Sequence, residues 1–399
     1  MRVLVLGGAG LQGRVAVYDL LRTPAVSEVV CLDQTLTGLD DLTGLVPTDR
    51  LRGIQTGIDD PGQLAALMGG GFDVVVDLLP SRYLEIVAAA AIKARCNLVN
   101  TMYAHQLPSG VDAAARDAGI TIMPEAGLDP GIDLVLCALG VSRLDSVDQL
   151  HSYCGGIPER RIADANPLRY KISWSWEGAL KSYARPARFM RGGKIVDVTA
   201  ADQHNPRYVT QVDFPGIGEL EVIPNGDAIT FAELLGVLPG MRETSRCTYR
   251  WPGHSALWYN LAQLGFLDDQ PVPGLGGGIS PRDFLVHHLG PRLQYGPGER
   301  DLVVMRVVVG GMRDGHRVRL TYDLVDERDL GTGFLAMTRT VGFSASIVAQ
   351  MVASGAISAH GVLTAVKHIP PERFVTGLQE RGVVITARET REPGPATRM

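Results

Sequence analysis

Gly8, Gly10 and Gly13 form a GxGxxG pattern between an apolar run, Val3 to Leu6, and a helical pattern, Leu11 to Leu21. In that setting each glycine has a mechanical task. One makes the tight turn, one lets backbone approach a pyrophosphate, and one lets the helix pack on the strand, while the helix N-terminus faces the phosphate. Leu11 and Gln12 inside the pattern, with Leu79 and Pro80 after a later apolar run, complete the expected cofactor-binding set. The second apolar run ends at Asp33, twenty residues past Gly13, the distance at which an acid bonds the adenosine ribose hydroxyls. An acid there repels a 2′-phosphate, so NAD is expected in preference to NADP.

A second concentration of polar, aromatic and glycine residues lies at Ser152 to Pro158 (SYCGGIP), Asn166 to Gly178 (NPLRYKISWSWEG) and Ile223 to Glu233 (IPNGDAITFAE). Tyr170, Lys171, Trp174 and Trp176 in so short a span point to a substrate cleft; the other reading, tryptophans that cover a sheet or form a dimer face, stays open. Arg169, Lys171 and Arg282 are the candidates to bind substrate carboxylates, since guanidinium and ammonium groups do so directly. His254 and the pair His287-His288 have no metal-ligand spacing partners, so they read as structural or surface residues. No metal site is expected.

These residues need elements to hold them. Apolar runs at Val3 to Leu6, Val29 to Leu32, Gly53 to Gln55, Val74 to Leu78, Leu98 to Val99 and Ile120 to Met123 are mostly separated by helical patterns such as Leu11 to Leu21 and Tyr83 to Ala94. Continuous hydrophobicity implies strands covered on both faces, hence a doubly wound parallel sheet of Rossmann type. From about residue 140 the segments Val147 to Tyr153, Gly193 to Val198, Tyr208 to Val212, Leu220 to Ile223, Arg246 to Arg250, Leu302 to Val309 and Arg317 to Val325 read as strands joined by turns. They predict an inserted α+β domain on a mostly antiparallel sheet. The expected division is a dinucleotide-binding domain over 1–135, a substrate domain over 136–338, C-terminal helices over 339–387 returning to the first domain, and a disordered polar tail over 388–399.

Composition agrees with an ordinary globular chain of two to three domains: 399 residues, 45% apolar, 20% charged. A net charge of −5 gives no basis for holding a polyanion or an anionic membrane surface, so nucleic acid is excluded as an expected partner. Cys31, Cys96, Cys137, Cys154 and Cys247 are odd in number and lack CxxC spacing, which fits a reducing cytoplasm and no disulfide framework. No apolar run approaches a membrane span of about 18 residues, and the first residues enter a strand without a leader, so a cytoplasmic protein is expected.

Five segments carry a resemblance: GLDPGID at Gly127 to Asp133, SYCGGIP, NPLRYKISWSWEG, IPNGDAIT at Ile223 to Thr230, and YRWPGHSALWYNLAQLGF at Tyr249 to Phe266. In this order they are similar to the saccharopine dehydrogenase family, specifically the glutamate-forming saccharopine reductases and the lysine 6-dehydrogenases. PRDFL at Pro281 to Leu285 and the stretch ending at Gly355 extend the resemblance over nearly the whole chain. It implies a Rossmann domain with an inserted substrate domain, a homodimer, an amino-acid substrate, and hydride transfer from a carbon beside nitrogen to the nicotinamide, giving an imine. Such chemistry needs a general base for the amine and a proton relay for hydrolysis.

The resemblance assigns acid–base or supporting roles to Tyr103, Asp129 and Cys154. Tyr103 lies just past the fifth strand, where an open parallel sheet places its ligands; otherwise it is an ordinary loop aromatic. Asp129 reads equally as an N-cap with Pro130 at the first helical position, and Cys154 as a small packing residue. The chain departs from the glutamate-forming pattern at Asn225-Gly226-Asp227, where those enzymes carry an arginine between the Asn and Asp. Asn225, Asp227 and Trp174 are still expected at the substrate, and Arg169 is expected to compensate. Saccharopine-type oxidation with NAD is the leading expectation. Lysine 6-dehydrogenase chemistry and a catalytically silent NAD-binding scaffold are the alternatives.

Overall fold

The structure is a computed structural model that describes residues 1–274 and 277–391. The chain divides into two compact units, Met1–Ala138 with Thr338–Val383 and Leu139–Met337 with Val384–Met399.

In chain order the first unit contributes β1 (Arg2–Leu6), α1 (Leu11–Arg22), β2 (Glu28–Asp33), β3 (Leu51–Gln55), α2 (Pro61–Met68), β4 (Val74–Asp77), α3 (Leu84–Ala94), β5 (Leu98–Asn100), α4 (Val111–Ala118), β6 (Thr121–Met123) and α5 (Ile132–Val141). The second unit follows with β7 (Ser146–Pro158), α6 (Arg160–Asp164), α7 (Trp176–Ser182), β8 (Ala187–Arg191), β9 (Lys194–Val198), β10 (Thr210–Phe214), β11 (Gly218–Pro224), α8 (Ala228–Leu234), β12 (Glu243–Arg250), α9 (His254–Gln263), α10 (Pro281–Leu289), β13 (Asp301–Arg313) and β14 (His316–Glu327). The chain ends with α11 (Ala336–Ala353), β15 (Gly361–Val362), α12 (Ala365–His368), α13 (Pro371–Glu380) and β16 (Ile385–Arg391).

The first unit holds a seven-stranded parallel sheet in the order β15-β6-β5-β4-β1-β2-β3. Val3 to Leu6 and Val74 to Val76 are all but inaccessible, which is why these strands read as unbroken apolar runs. The reversal of strand order beside β1 creates the switch point where such sheets bind ligands. Buried Asp19 on α1 accepts hydrogen bonds from Ser346 (2.6 Å), Gln350 (3.3 Å) and Arg381 (2.7 Å), fastening α11 and the residue after α13 to the first helix.

The second unit holds a nine-stranded sheet whose main path is β10-β11-β12-β7-β13-β14-β16, with β8 and β9 attached beside β12. All its pairings are antiparallel except β12 with β7, where Thr248 stands opposite Cys154. The tail expected to be disordered from Arg388 begins instead as a strand. Leu324 to Val318 of β14 pair with Ile385 to Arg391, and Arg388 reaches Asp323 at 3.3 Å. A strand edge with unpaired amides and carbonyls recruits backbone regardless of side-chain polarity. Residues 392–399 lie outside the described residues.

Candidate functional site

In the first unit the glycines do what their spacing requires. Gly10 caps α1 in an extended conformation with no side chain competing for the first amides. A Cβ on Gly8 would come within 2.5 Å of Cys31 Sγ, and one on Gly13 within 2.6 Å of Gly8 Cα. The loop between β1 and α1 is therefore a backbone cradle that any side chain would fill, which fits the pyrophosphate of a dinucleotide. Leu79 packs on this loop, with its Cδ2 at 3.2 Å from the Cβ position of Gly7, and its amide donates to Asp77 Oδ1 at 3.0 Å. Pro80 follows directly. Leu11 is exposed and Gln12 half-buried at the start of α1.

Asp33 stands at the end of β2, yet its carboxylate is already engaged: Oδ2 accepts from Ala9 N–H at 3.1 Å and Oδ1 from Gln34 N–H at 2.8 Å. It holds the glycine loop to the second strand. Arg14, half-buried at the start of α1, pairs with Asp41 in the segment that follows β2.

At the carboxyl end of β5 the Tyr103 hydroxyl donates to Asp129 Oδ1 at 3.3 Å, and its ring stacks on His105 with centroids 5.2 Å apart. Pro130 is not the first residue of α5, as a cap at Asp129 would require. The Asp129–Pro130 peptide is cis, α5 begins only at Ile132, and Asp133 Oδ1 is the acceptor for Gly131 N–H at 2.9 Å. Asp129 sits instead on a tight excursion whose ends touch. Gly127 N–H donates to Pro130 O, Ile132 N–H donates to Gly127 O, and Gly131 has φ +148° with Gly127 N within 2.5 Å of any Cβ it could carry. Glu125, buried with φ +62°, accepts from the Ala104 and Ala365 amides at 3.2 and 3.1 Å and fixes the turn that carries Tyr103. Sequence reasoning missed Glu125; its only signal is a carboxylate in an otherwise apolar strand end.

In the second unit Cys154 is buried in β7 and in no disulfide, and Thr248 Oγ1 donates to its carbonyl at 3.1 Å. The cations picked from sequence have carboxylate partners of their own. Arg169, at φ +49°, lies 3.4 Å from Asp164; Lys171 meets Glu299 at 2.5 Å and the Gln294 carbonyl at 2.9 Å; Arg282 meets Asp269 at 3.2 Å. Asp227 is a helix cap, its Oδ1 accepting from Ile229 and Thr230 amides at the start of α8 and its Oδ2 lying 3.2 Å from Arg188. Asn225 presents a buried Oδ1 with no hydrogen-bond partner. Trp174 packs half-buried on the cluster of Tyr170, Trp176, Tyr183 and Trp258 that fills this part of the unit. Trp176 lies in that core, its indole N–H donating to the Leu285 carbonyl at 3.2 Å. His254 is buried with Nδ1 at 3.1 Å from the Leu168 carbonyl, and His287 and His288 lie on exposed α10. Among the described residues no group of three or more His, Cys, Asp or Glu could hold a metal, and no helix is long and apolar enough to cross a membrane.

The family model for the saccharopine dehydrogenase NADP binding domain matches residues 3–123, and that for the saccharopine dehydrogenase C-terminal domain matches residues 127–383. The chain belongs to the saccharopine dehydrogenase family. Among relatives, mitochondrial alpha-aminoadipic semialdehyde synthase of Bos taurus is 28% identical over 80% of this chain and 41% of its own length, and that of Mus musculus 31% identical over 73% and 38%. The chain thus spans about two fifths of these relatives. Saccharopine dehydrogenase [NADP(+), L-glutamate-forming] of Saccharomyces cerevisiae is 26% identical over 90% of this chain and 93% of its own. The solved apo structure of the L-Glu-forming saccharopine dehydrogenase from that yeast covers 98% of this chain and 99% of its own with a TM-score of 0.81 at 23% identity, which establishes the fold.

Membership of the saccharopine dehydrogenase family corrects the cofactor expectation. The matched domain is NADP-binding, and the fungal relatives carry NADP(+) in their names. NAD was inferred from the spacing of Asp33 alone, as if its carboxylate faced the ribose unencumbered. Both oxygens instead accept backbone amides, so the charge that was to repel a 2′-phosphate is partly offset by the loop it fastens.

Proposed function

We propose that this chain is an NADP-dependent oxidoreductase that cleaves a saccharopine-like secondary amine at its C–N bond, releasing L-glutamate and a semialdehyde. The observation that carries the reading is the Tyr103–Asp129 hydrogen bond at the carboxyl end of the parallel sheet, in the unit that also holds the glycine cradle. NADP+, when bound, supplies the hydride acceptor. The residues that would hold it are the Gly7–Gly13 loop for the pyrophosphate and Leu79 and Pro80 beside it.

The remaining steps belong to the protein. Before hydride can leave the carbon, the amine nitrogen must lose its proton, and Asp129 Oδ2 is the acceptor while Tyr103 holds Oδ1. Water then adds to the C=N carbon; the proton on Asp129 and one proton of that water pass to the nitrogen as the C–N bond breaks, and the other water proton leaves to solvent as the carbinol becomes the aldehyde. A base fixed by a neighbour loses less freedom on reaching the transition state, and positioned proton transfer of this kind contributes about 10²- to 10⁴-fold.

Names of the relatives support the substrate, and the family supports the reaction type. The test is absorbance at 340 nm with NADP+ and a panel of saccharopine, lysine, ornithine and diamines, with the amino-acid product identified. Saccharopine should give NADPH and L-glutamate in equal amounts. A second reading, deamination at the terminal amine of lysine, is favoured by the absence of arginine at Asn225-Gly226-Asp227, and NADPH formed from lysine without glutamate would select it.

A further inference from the structure

The strand β4 ends in a buried carboxylate that the proposed reaction does not use. Asp77, its last residue, is only 4% exposed. Its partners across the sheet are Leu6 of β1, which leads straight into the glycine loop, and Asn100 of β5, which leads into the turn that carries Tyr103. Asp77 therefore stands at the carboxyl end of the sheet, in the strand beside β1 where the strand order reverses. Open parallel sheets bind their ligands there. The chain that follows packs on the glycine loop, with the Leu78 carbonyl oxygen 3.1 Å and Leu79 Cδ2 3.2 Å from the Cβ position of Gly7.

No cation of the protein compensates this carboxylate. Among the described residues its one hydrogen-bond donor is the Leu79 amide, 3.0 Å from Oδ1, and no Lys, Arg or His pairs with it. Asn100 is fully buried, yet its Nδ2 makes no hydrogen bond, and its Oδ1 accepts from the Met102 amide. The titratable side chains of the surrounding elements are engaged or turned away. Asp33 at the end of β2 accepts two amides, the Cys31 thiol is pushed up to about 12 by burial, Tyr103 donates to Asp129, Arg82 lies 4.6 Å over the Tyr83 ring, and Glu85 of α3 is exposed. None of them bonds to Asp77. Desolvation disfavours the charged form, and burial pushes the Asp77 carboxyl up to about 7. At neutral pH the group is poised between its two forms.

The oxidised and reduced forms of a nicotinamide dinucleotide share their riboses and phosphates and differ in the ring. The oxidised ring carries a positive charge and the reduced ring carries none. In poorly screened surroundings unit charges act on one another over several ångströms, and a buried charge without a partner gains most from acquiring one.

We propose that Asp77 makes the cofactor site sensitive to the redox state of the nicotinamide: its carboxylate favours the oxidised form, and its protonation removes that preference. The inference rests on the NADP reading above, but its test needs no turnover. As pH rises through 7 Asp77 ionises and NADP+ gains on NADPH; as pH falls the gain is lost. Contributions of the phosphates are common to both forms and cancel in the ratio of their affinities.

NADP+ and NADPH are titrated calorimetrically into the full chain at pH 6, pH 7 and pH 8, in buffers of different ionisation enthalpy. The affinity for NADP+ relative to NADPH should rise by about 3- to 10-fold from pH 6 to pH 8, and at pH 7 NADP+ should release about 0.3 to 0.5 more protons on binding than NADPH. Asp77→Asn keeps the acceptor for Leu79, and in it the ratio should be independent of pH and the difference in proton release should vanish. Should Asp77→Asn fail to fold, Asp77→Ser, whose hydroxyl still accepts from Leu79, is expected to give the same result. A ratio independent of pH in the wild type, a pH dependence that survives the substitution, or no binding of either form overturns the proposal. The predicted pattern without NADPH formed from saccharopine supports the role of Asp77 and removes the proposed activity, whereas saccharopine turnover with a flat ratio keeps the activity and overturns that role.

Discussion

The phenol of Tyr103 donates to Asp129 Oδ1 at 3.3 Å, joining the loop after β5 to the loop before α5 across 26 residues of sequence. Asp129 lies three residues before the first residue of α5. Asp129→Asn should lower kcat by about 10²- to 10⁴-fold while NADP affinity stays within about twofold, and Tyr103→Phe should cost about tenfold in kcat. Steady-state rates beside NADPH titration check this. An Asp129→Asn enzyme with a normal rate and a reduced Tm would make the residue structural.

Gly131 shapes the loop that carries Asp129. Its φ of +148° and the nearby Gly127 backbone leave no room for a methyl group. Gly131→Ala is expected to destabilise the fold by about 2 kcal/mol or more and to lower kcat together with Tm. Chemical denaturation measures the first, and a variant with wild-type midpoint and rate would contradict the role given to this loop.

Asp77 offers a pH signature. Burial pushes its carboxyl up to about 7, with the Leu79 amide pulling the other way. Between the ordinary value near 3.8 and about 7, the folded chain holds a proton that the unfolded chain has released. This contribution to stability is therefore complete below the unfolded value and is lost as pH rises through 7. Asp77→Asn keeps the acceptor for Leu79 and removes the charge. It should match the wild type at pH 4 and exceed it by about 2 to 4 kcal/mol at pH 8, and a constant difference across that range would exclude the mechanism.

Asp19 fastens the C-terminal helices through Ser346, Gln350 and Arg381. Asp19→Ala leaves a poorly exposed Arg381 with only the distant, exposed Glu380 as a carboxylate and should cost about 3 kcal/mol. Hydrogen exchange should quicken across residues 338–383 ahead of the sheet; uniform exchange would show that the anchor is dispensable.

The parallel sheet was legible because burial on both faces leaves β1, β2 and β4 as unbroken apolar runs, and the glycine cradle because each glycine answers to a contact. Other features depended on partners far away in sequence. Asp33 has the position of a ribose acceptor, but only the fold reveals that Ala9 and Gln34 occupy it. Asp129 followed by Pro130 reads as a helix start, and only the closing contact of Gly127 with Gly131 moves that start to Ile132. Lys171 gave no sign of Glu299, 128 residues on. Arg250 ends the strand ETSRCTYR, and only the fold shows that it is buried there and donates to Thr248 Oγ1 and the Tyr249 carbonyl. Arg388 to Arg391 look like polar tail and become strand because β14 has an open edge.

Saccharopine mixed with NADP+ and the full chain should yield NADPH at 340 nm in step with L-glutamate identified by mass, and Asp129→Asn should abolish both signals together. NADP that binds with no NADPH formed from saccharopine, or NADPH formed without L-glutamate, would contradict it.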